Sequence, residues 1–221
     1  MRFDVPPTAG LPLQACDLLP GGDGDLEAAL ARFLGVEQAQ LECSGTAALV
    51  VALTALRLRA PGRTEVVVPG YTCPLVALAV AHCGLQLRLC DLRPASLDLC
   101  PEALAALCGP RTLAVLPTHL AGRVTDVGPA LAIAHAAGAW VIEDAAQALG
   151  ARSGGRPVGL QGDIGFYSLA VGKGLTIFEG GVLVARDPAL RAACRAKPVV
   201  RSQADVALNF VGLDGLLNVL T

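Results

Sequence analysis

Lysine is almost missing from this 221-residue chain: of 17 Lys plus Arg, only Lys173 and Lys197 are lysine. Aromatic residues are also scarce, at 4%, and so few rings argue against a stacking surface for single-stranded nucleic acid. No excess of positive charge is present, the net charge being −2, so no basic patch advertises a nucleic-acid partner. No apolar run approaches the roughly 18 residues of a membrane span without Gly, Pro or charge. The opening MRFDVPPTAG has no basic-then-apolar leader pattern. The expectation is a cytoplasmic protein with no membrane or nucleic-acid partner. Eight cysteines stand at 16, 43, 73, 83, 90, 100, 108 and 194, with no CxxC pair and no zinc spacing. They are expected to be buried, reduced thiols, with no metal site.

What is abundant is apolar sequence, 53% of the chain. That much suits strands and helices covered on more than one side, as in a parallel sheet between helices. Strand-like runs fall at 65–69, 85–91, 112–117, 139–144, 165–169 and 181–185. Helix-like segments lie between them at 25–34, 46–58, 101–107 and 127–137. Ser44 is placed to cap the second of these, Pro101 opens the third, and Gly138 stops the fourth. Alternating strands and helices predict an α/β fold with a mainly parallel sheet flanked by helices.

Ligands of such sheets bind at the carboxyl ends of the strands. Three sites there carry unusual residues. Ser44-Gly45-Thr46 enters a helix and offers free N–H groups, hydroxyls and the positive end of the dipole, a cup for phosphate. Asp144 ends a buried strand, where a carboxylate needs a cation; a surface arginine or a protonated heteroaromatic nitrogen would serve. Lys173 follows the strand carrying Ser168 and sits between Gly172 and Gly174. Phosphate cup, carboxylate and lysine together are what pyridoxal phosphate requires. The amine forms a Schiff base with its aldehyde, and the carboxylate keeps the pyridine nitrogen protonated. Arginine cannot do the lysine's work, because its guanidinium stays charged. A Walker A loop does not fit, since Gly174 follows Lys173 and Tyr167 stands where the first glycine belongs.

Six stretches in this order resemble the DegT/DnrJ/StrS sugar aminotransferases. They are CSGTAALVVAL (43–53), EVVVPGYTC (65–73), LCDLRPASLDL (89–99), PTHLAGRVTDV (117–127), EDAAQALGA (143–151) and GDIGFYSLAVGKGLTIFEGG (162–181). The resemblance implies the large domain of a fold type I pyridoxal-phosphate transferase. It implies Lys173 as the Schiff-base lysine and Asp144 at the pyridine nitrogen. It further implies Gln147 beside the ring and its 3-hydroxyl, and Ser168 with Gly45 and Thr46 on the phosphate. The implied reaction moves an amino group, usually from glutamate, onto a keto carbon of a nucleotide-linked sugar, or in some relatives a carbocycle. A dehydratase branch has histidine in place of the lysine; here the lysine is kept.

Departures from the pattern are Cys73 where Phe or Trp usually packs on the ring, Leu149 in place of a common histidine, and Phe178 in place of a glycine. His119 matches a family loop and is expected to be structural. The resemblance also implies a homodimer, with residues 1–221 forming the large domain, 1–24 an N-terminal arm, and no C-terminal small domain. A short chain leaves a second expectation open, a catalytically silent paralogue that serves as a binding or assembly partner.

Overall fold

Helix α2 (Gly45–Arg59) occupies the middle of the molecule. Its sequence is rich in Ala and Leu, the strongest helix formers. Ser44 closes its N-terminus by accepting the Ala47 N–H at 3.0 Å. The helix ends at Ala60, just before Pro61, which cannot continue it. Residues 47–53, 55 and 56 are all buried, so this helix is covered all round rather than along one stripe.

The computed structural model describes residues 25–177 and 179–196. Besides α2 it contains, in chain order, α1 (Leu26–Leu34), β1 (Gln40–Glu42), β2 (Glu65–Pro69), α3 (Pro74–His82), β3 (Gln86–Cys90), α4 (Pro101–Leu107) and β4 (Thr112–Val115). Then come α5 (Gly128–Ala136), β5 (Trp140–Asp144), β6 (Arg152–Ser153), β7 (Arg156–Pro157), β8 (Ile164–Ser168), β9 (Gly181–Ala185) and α6 (Pro188–Arg195). The expected arm over residues 1–24, Cys16, Phe178, Lys197 and the apolar tail lie outside the described residues.

Seven strands form one sheet in the order β1-β9-β8-β5-β4-β2-β3. The run from β3 to β8 is parallel, while β9 lies antiparallel to β8, and β1 to β9. Among its described residues the 169–180 connection contains no helix to carry the chain back across the sheet, so β9 returns in the opposite direction. Side-chain alternation splits the core between two faces. Val66, Val68, Ile142, Phe166 and Leu183 pack with α2 and α3 on one side. Val67, Val115 and Val141 meet α4 and α5 on the other. Tyr167, Val182 and Val184 meet α1. This is the mainly parallel, helix-flanked sheet that the sequence predicts.

Differences from the sequence reading have physical causes. Helix α3 is a continuous apolar run after Pro74 and shows no one-sided period. Helix α6 starts at Asp187, which accepts the Ala189 N–H at 2.6 Å. Strand β1 is three residues long and exists through its pairing with β9. The expectation of buried thiols holds for Cys83, Cys90 and Cys194, not for exposed Cys73, which sits at the mouth of a cleft at the start of α3. Among the described residues no helix is long and apolar enough to cross a membrane.

Candidate active site

The carboxyl ends of β2, β4, β5 and β8 and the first turn of α2 converge on a cavity of about 300 Å³. Gly45, Thr46, Asp144, Gln147, Ser168 and Lys173 all stand on its wall. The fold thus brings together all six residues singled out in the sequence. The cavity continues into a wider cleft of about 700 Å³, with Cys73, Gln147, Ser168 and Lys173 on the wall of both.

At one end, three chain segments meet closely enough to require glycine. A Cβ on Gly45 would lie 3.1 Å from the Ser168 Cβ, and one on Gly181 would lie 2.2 Å from the Ser44 carbonyl oxygen. The absent side chains let the start of α2 rest directly on the ends of β8 and β9. The first-turn N–H groups of a helix lack intrahelical acceptors. Here the Ala47 N–H is taken by the Ser44 cap, and Gly45 and Thr46 line the cavity end together with Ser168, which makes a compact anion cradle.

Asp144 is 4% exposed. Among the described residues its side chain has one hydrogen bond, accepted by Oδ1 from the Ala146 N–H at 3.0 Å. Burial pushes its carboxyl up to about 6, against the opposing pull of the Ala146 N–H and nearby cationic charge. A carboxylate left this way is suited to a cation placed in the cavity.

Glu143, one residue earlier, points to the other face of the strand and is 0% exposed. Four donors converge on it: His119 Nε2–H at 3.0 Å, the Gly159 N–H at 2.9 Å, and the N–H groups of Gln161 and Gly162. Burial alone would raise its carboxyl, but these hydrogen bonds overcome it and hold the group below the usual glutamate range. Neighbouring carboxylates are therefore driven in opposite directions.

His119 is 1% exposed. Its Nδ1 accepts the Thr125 N–H at 3.1 Å, so the ring proton must be on Nε2, where it is donated to Glu143. The imidazole is neutral, and Glu143 is held by hydrogen bonds rather than by a paired cation. The sequence expectation of a structural histidine fits this geometry, but its partner Glu143 was not foreseen. A second unforeseen contact orients Gln147. Ala121, at φ 53° in the left-handed region, donates its N–H to Gln147 Oε1 at 2.7 Å. That leaves the Gln147 NH2 for the cavity. No sequence signal marks an alanine for this conformation, which costs about 1–2 kcal/mol.

Lys173 is half-buried on the 169–180 connection. Buried Leu169 gathers that segment: its N–H bonds the Gly180 carbonyl at 2.8 Å, and its carbonyl accepts from Ile177 N–H at 3.1 Å and Thr176 Oγ1 at 2.9 Å. Among the described residues the Lys173 ammonium has no ion pair.

Comparison with known proteins gives a consistent answer. The model of the DegT/DnrJ/EryC1/StrS aminotransferase family matches residues 23–211. The chain is 39% identical over 171 residues to the GDP-perosamine synthase of Caulobacter vibrioides, covering 77% of this chain and 46% of that one. It is 36% identical over 197 residues to the UDP-N-acetyl-3-dehydro-alpha-D-glucosamine 3-aminotransferase of Acidithiobacillus ferrooxidans, covering 88% and 53%. The solved aminotransferase from Psychrobacter cryohalolentis superposes with a TM-score of 0.71 at 34% identity, over 77% of this chain and 43% of that one. The chain spans about half the length of the curated relatives it matches. A match through all the described residues, on this sheet and around this cavity, makes the chain a member of the DegT/DnrJ/EryC1/StrS aminotransferase family.

Proposed function

We propose that this chain is the pyridoxal-phosphate-binding large domain of an aminotransferase. Its reaction transfers an amino group from an amino acid, glutamate, to a keto carbon of a nucleotide-linked sugar or a related ring. The observation that carries this reading is one cavity with Lys173 on its wall, an anion cradle at one end and a buried, under-bonded carboxylate within it.

The donor set fits the cofactor. Gly45, Thr46 and Ser168 would hold its phosphate, and the two close glycine contacts keep that cradle free of side chains. Asp144 would face the pyridine nitrogen and keep it protonated, gaining the cation that its burial calls for. The Gln147 NH2, freed by the Ala121 contact, would donate to the ring's 3-oxygen. Lys173 would make the covalent link; released by the donor's amine, its Nζ would move the proton at the donor's α-carbon. When bound, the cofactor supplies the electron sink that stabilises negative charge at that carbon. Cys73 leaves a small thiol where the family usually has a ring-packing aromatic, so that face stays open to the wider cleft.

The acceptor would lie in that cleft. Exposed Tyr71, Val171, Leu175 and Ile177 lie on the same two segments as cleft-lining Cys73 and Lys173. Apolar groups around a site mouth support a homodimer that covers it. The competing reading, a silent assembly partner, finds less support, because the lysine, the carboxylate and the cradle are all kept.

The test is chemical. Pyridoxal phosphate added to the chain should give the absorbance band of a lysine-bound cofactor. Borohydride reduction and peptide mapping should then find the label on Lys173. Label on Lys197, or none, would overturn the assignment.

A further inference from the structure

The segment running from Thr118 to Thr125 leaves the end of β4, turns beside the cavity and comes back. Three hydrogen bonds close it. Thr125 Oγ1 donates to the Thr118 carbonyl at 2.7 Å, the Thr125 N–H donates to His119 Nδ1 at 3.1 Å, and His119 Nε2–H donates to Glu143. Its base extends the pairing of β4 with β5: the His119 N–H bonds the Asp144 carbonyl at 2.9 Å and the Asp144 N–H bonds the Pro117 carbonyl at 3.0 Å. Its tip is Ala121, whose N–H holds the Gln147 amide. Both ends of this device therefore touch residues of the cavity. The Asp144 main chain is clamped at the base, and the Gln147 side chain is aimed from the tip.

We propose that His119 is the positioning residue of the site: its neutral ring, locked between Glu143 and Thr125, sets the placement of Asp144 and Gln147 toward pyridoxal phosphate. It is not a proton carrier. The side chain is wholly buried, and both ring nitrogens are already committed to protein partners. The lock does not depend on charge pairing with Glu143, since the imidazole is neutral. What it needs is an N–H at the position of Nε2. This inference rests on the reading that the cavity binds the cofactor.

Conservative replacements separate the two nitrogens. Glutamine at this position presents an amide N–H near the place of Nε2 and keeps the bond to Glu143. Asparagine presents an oxygen near the place of Nδ1, keeps the bond from Thr125 and loses Glu143. Alanine loses both. The 221-residue parent, His119→Gln, His119→Asn and His119→Ala are titrated with pyridoxal phosphate. Affinity, the band position of the lysine-bound cofactor and thermal unfolding are recorded for each.

His119→Gln should stay within about threefold of the parent with the same band. His119→Asn and His119→Ala should bind about tenfold more weakly or worse, the equivalent of one lost hydrogen bond to a charged group. Their bands should shift, because Asp144 and Gln147 set the electronics of the ring. A loss of global stability alone would leave the band of the bound fraction where it was. If His119→Ala does not fold, the contrast between glutamine and asparagine supplies the answer. A folded His119→Gln as weak as His119→Asn would overturn the proposal, and so would a His119→Ala that keeps the parent's affinity and band. A parent that binds no cofactor would overturn the reading of the cavity itself, and this inference with it.

Discussion

Replacing Asp144 by asparagine should make the cofactor-free protein more stable while disabling it. The side chain is buried, and its carboxyl is pushed from 3.8 up to about 6. A folded-state value above the unfolded one means that the native state binds more protons between those two pH values. Stability from this group is therefore complete below about pH 4, falls as pH rises toward 6, and stays reduced above that. A shift of about two units corresponds to about 3 kcal/mol of destabilisation at pH 7 and above. Asparagine is nearly isosteric, keeps an oxygen for the Ala146 N–H and carries no charge to bury. Asp144→Asn should gain up to about 3 kcal/mol at pH 8, roughly 6–12 °C in Tm for a chain of this size. The gain should shrink steadily toward pH 4.5. The assay is urea unfolding of cofactor-stripped parent and variant, followed by circular dichroism at pH 8, 6.5, 5.5 and 4.5. Saturating pyridoxal phosphate should stabilise the parent more than the variant, because the parent alone offers a carboxylate to the ring nitrogen. A variant no more stable than the parent at pH 8, or a gain that grows on acidification, would refute the argument.

Glu143→Gln should behave in the opposite sense, losing about 3 kcal/mol at neutral pH by setting an amide NH2 among donors that expect a carboxylate. Because the Glu143 carboxyl is held below its usual range, that deficit should diminish as pH falls through the acid range; the same urea series reads it. Gly181→Ala should cost about 3 kcal/mol and weaken cofactor binding. Its Cβ would fall 2.2 Å from a backbone oxygen at the start of α2; equal urea midpoints and cofactor affinities would show that the contact relaxes freely. Cys73→Phe should tighten binding of pyridoxal phosphate by packing a ring over the open face, read by titration; unchanged or weaker affinity would mean that face is covered from elsewhere.

Much of the architecture was legible because it depends on near neighbours in sequence. Buried strands read as short apolar runs, and the Ser44 cap and the proline starts of helices act within one turn. Helix α3 and strand β1 were not legible. An unbroken apolar run has no preferred face to betray it, and a three-residue strand is defined only by a partner some 140 residues away. Lys173, Asp144 and the Ser44-Gly45-Thr46 turn showed in the sequence through their types, and Gln147 only through the family resemblance. A lysine between two glycines in a chain that otherwise uses arginine, an acid at a strand end and a Ser-Gly-Thr helix entry are each conspicuous before any folding.

The sequence by itself determined which chemical groups reach the carboxyl edge of the sheet, since strand ends and helix starts follow from local pattern. Only the tertiary structure decided how those groups are held. Glu143 and Asp144 are adjacent, yet one faces four donors and the other a nearly bare cavity. The His119 ring donates to Glu143, 24 residues further on, and the Gln147 amide is turned by Ala121, 26 residues before it. Hydrogen-bond partners at such separations, and the burial that drives neighbouring carboxyls in opposite directions, come into being only when the chain folds.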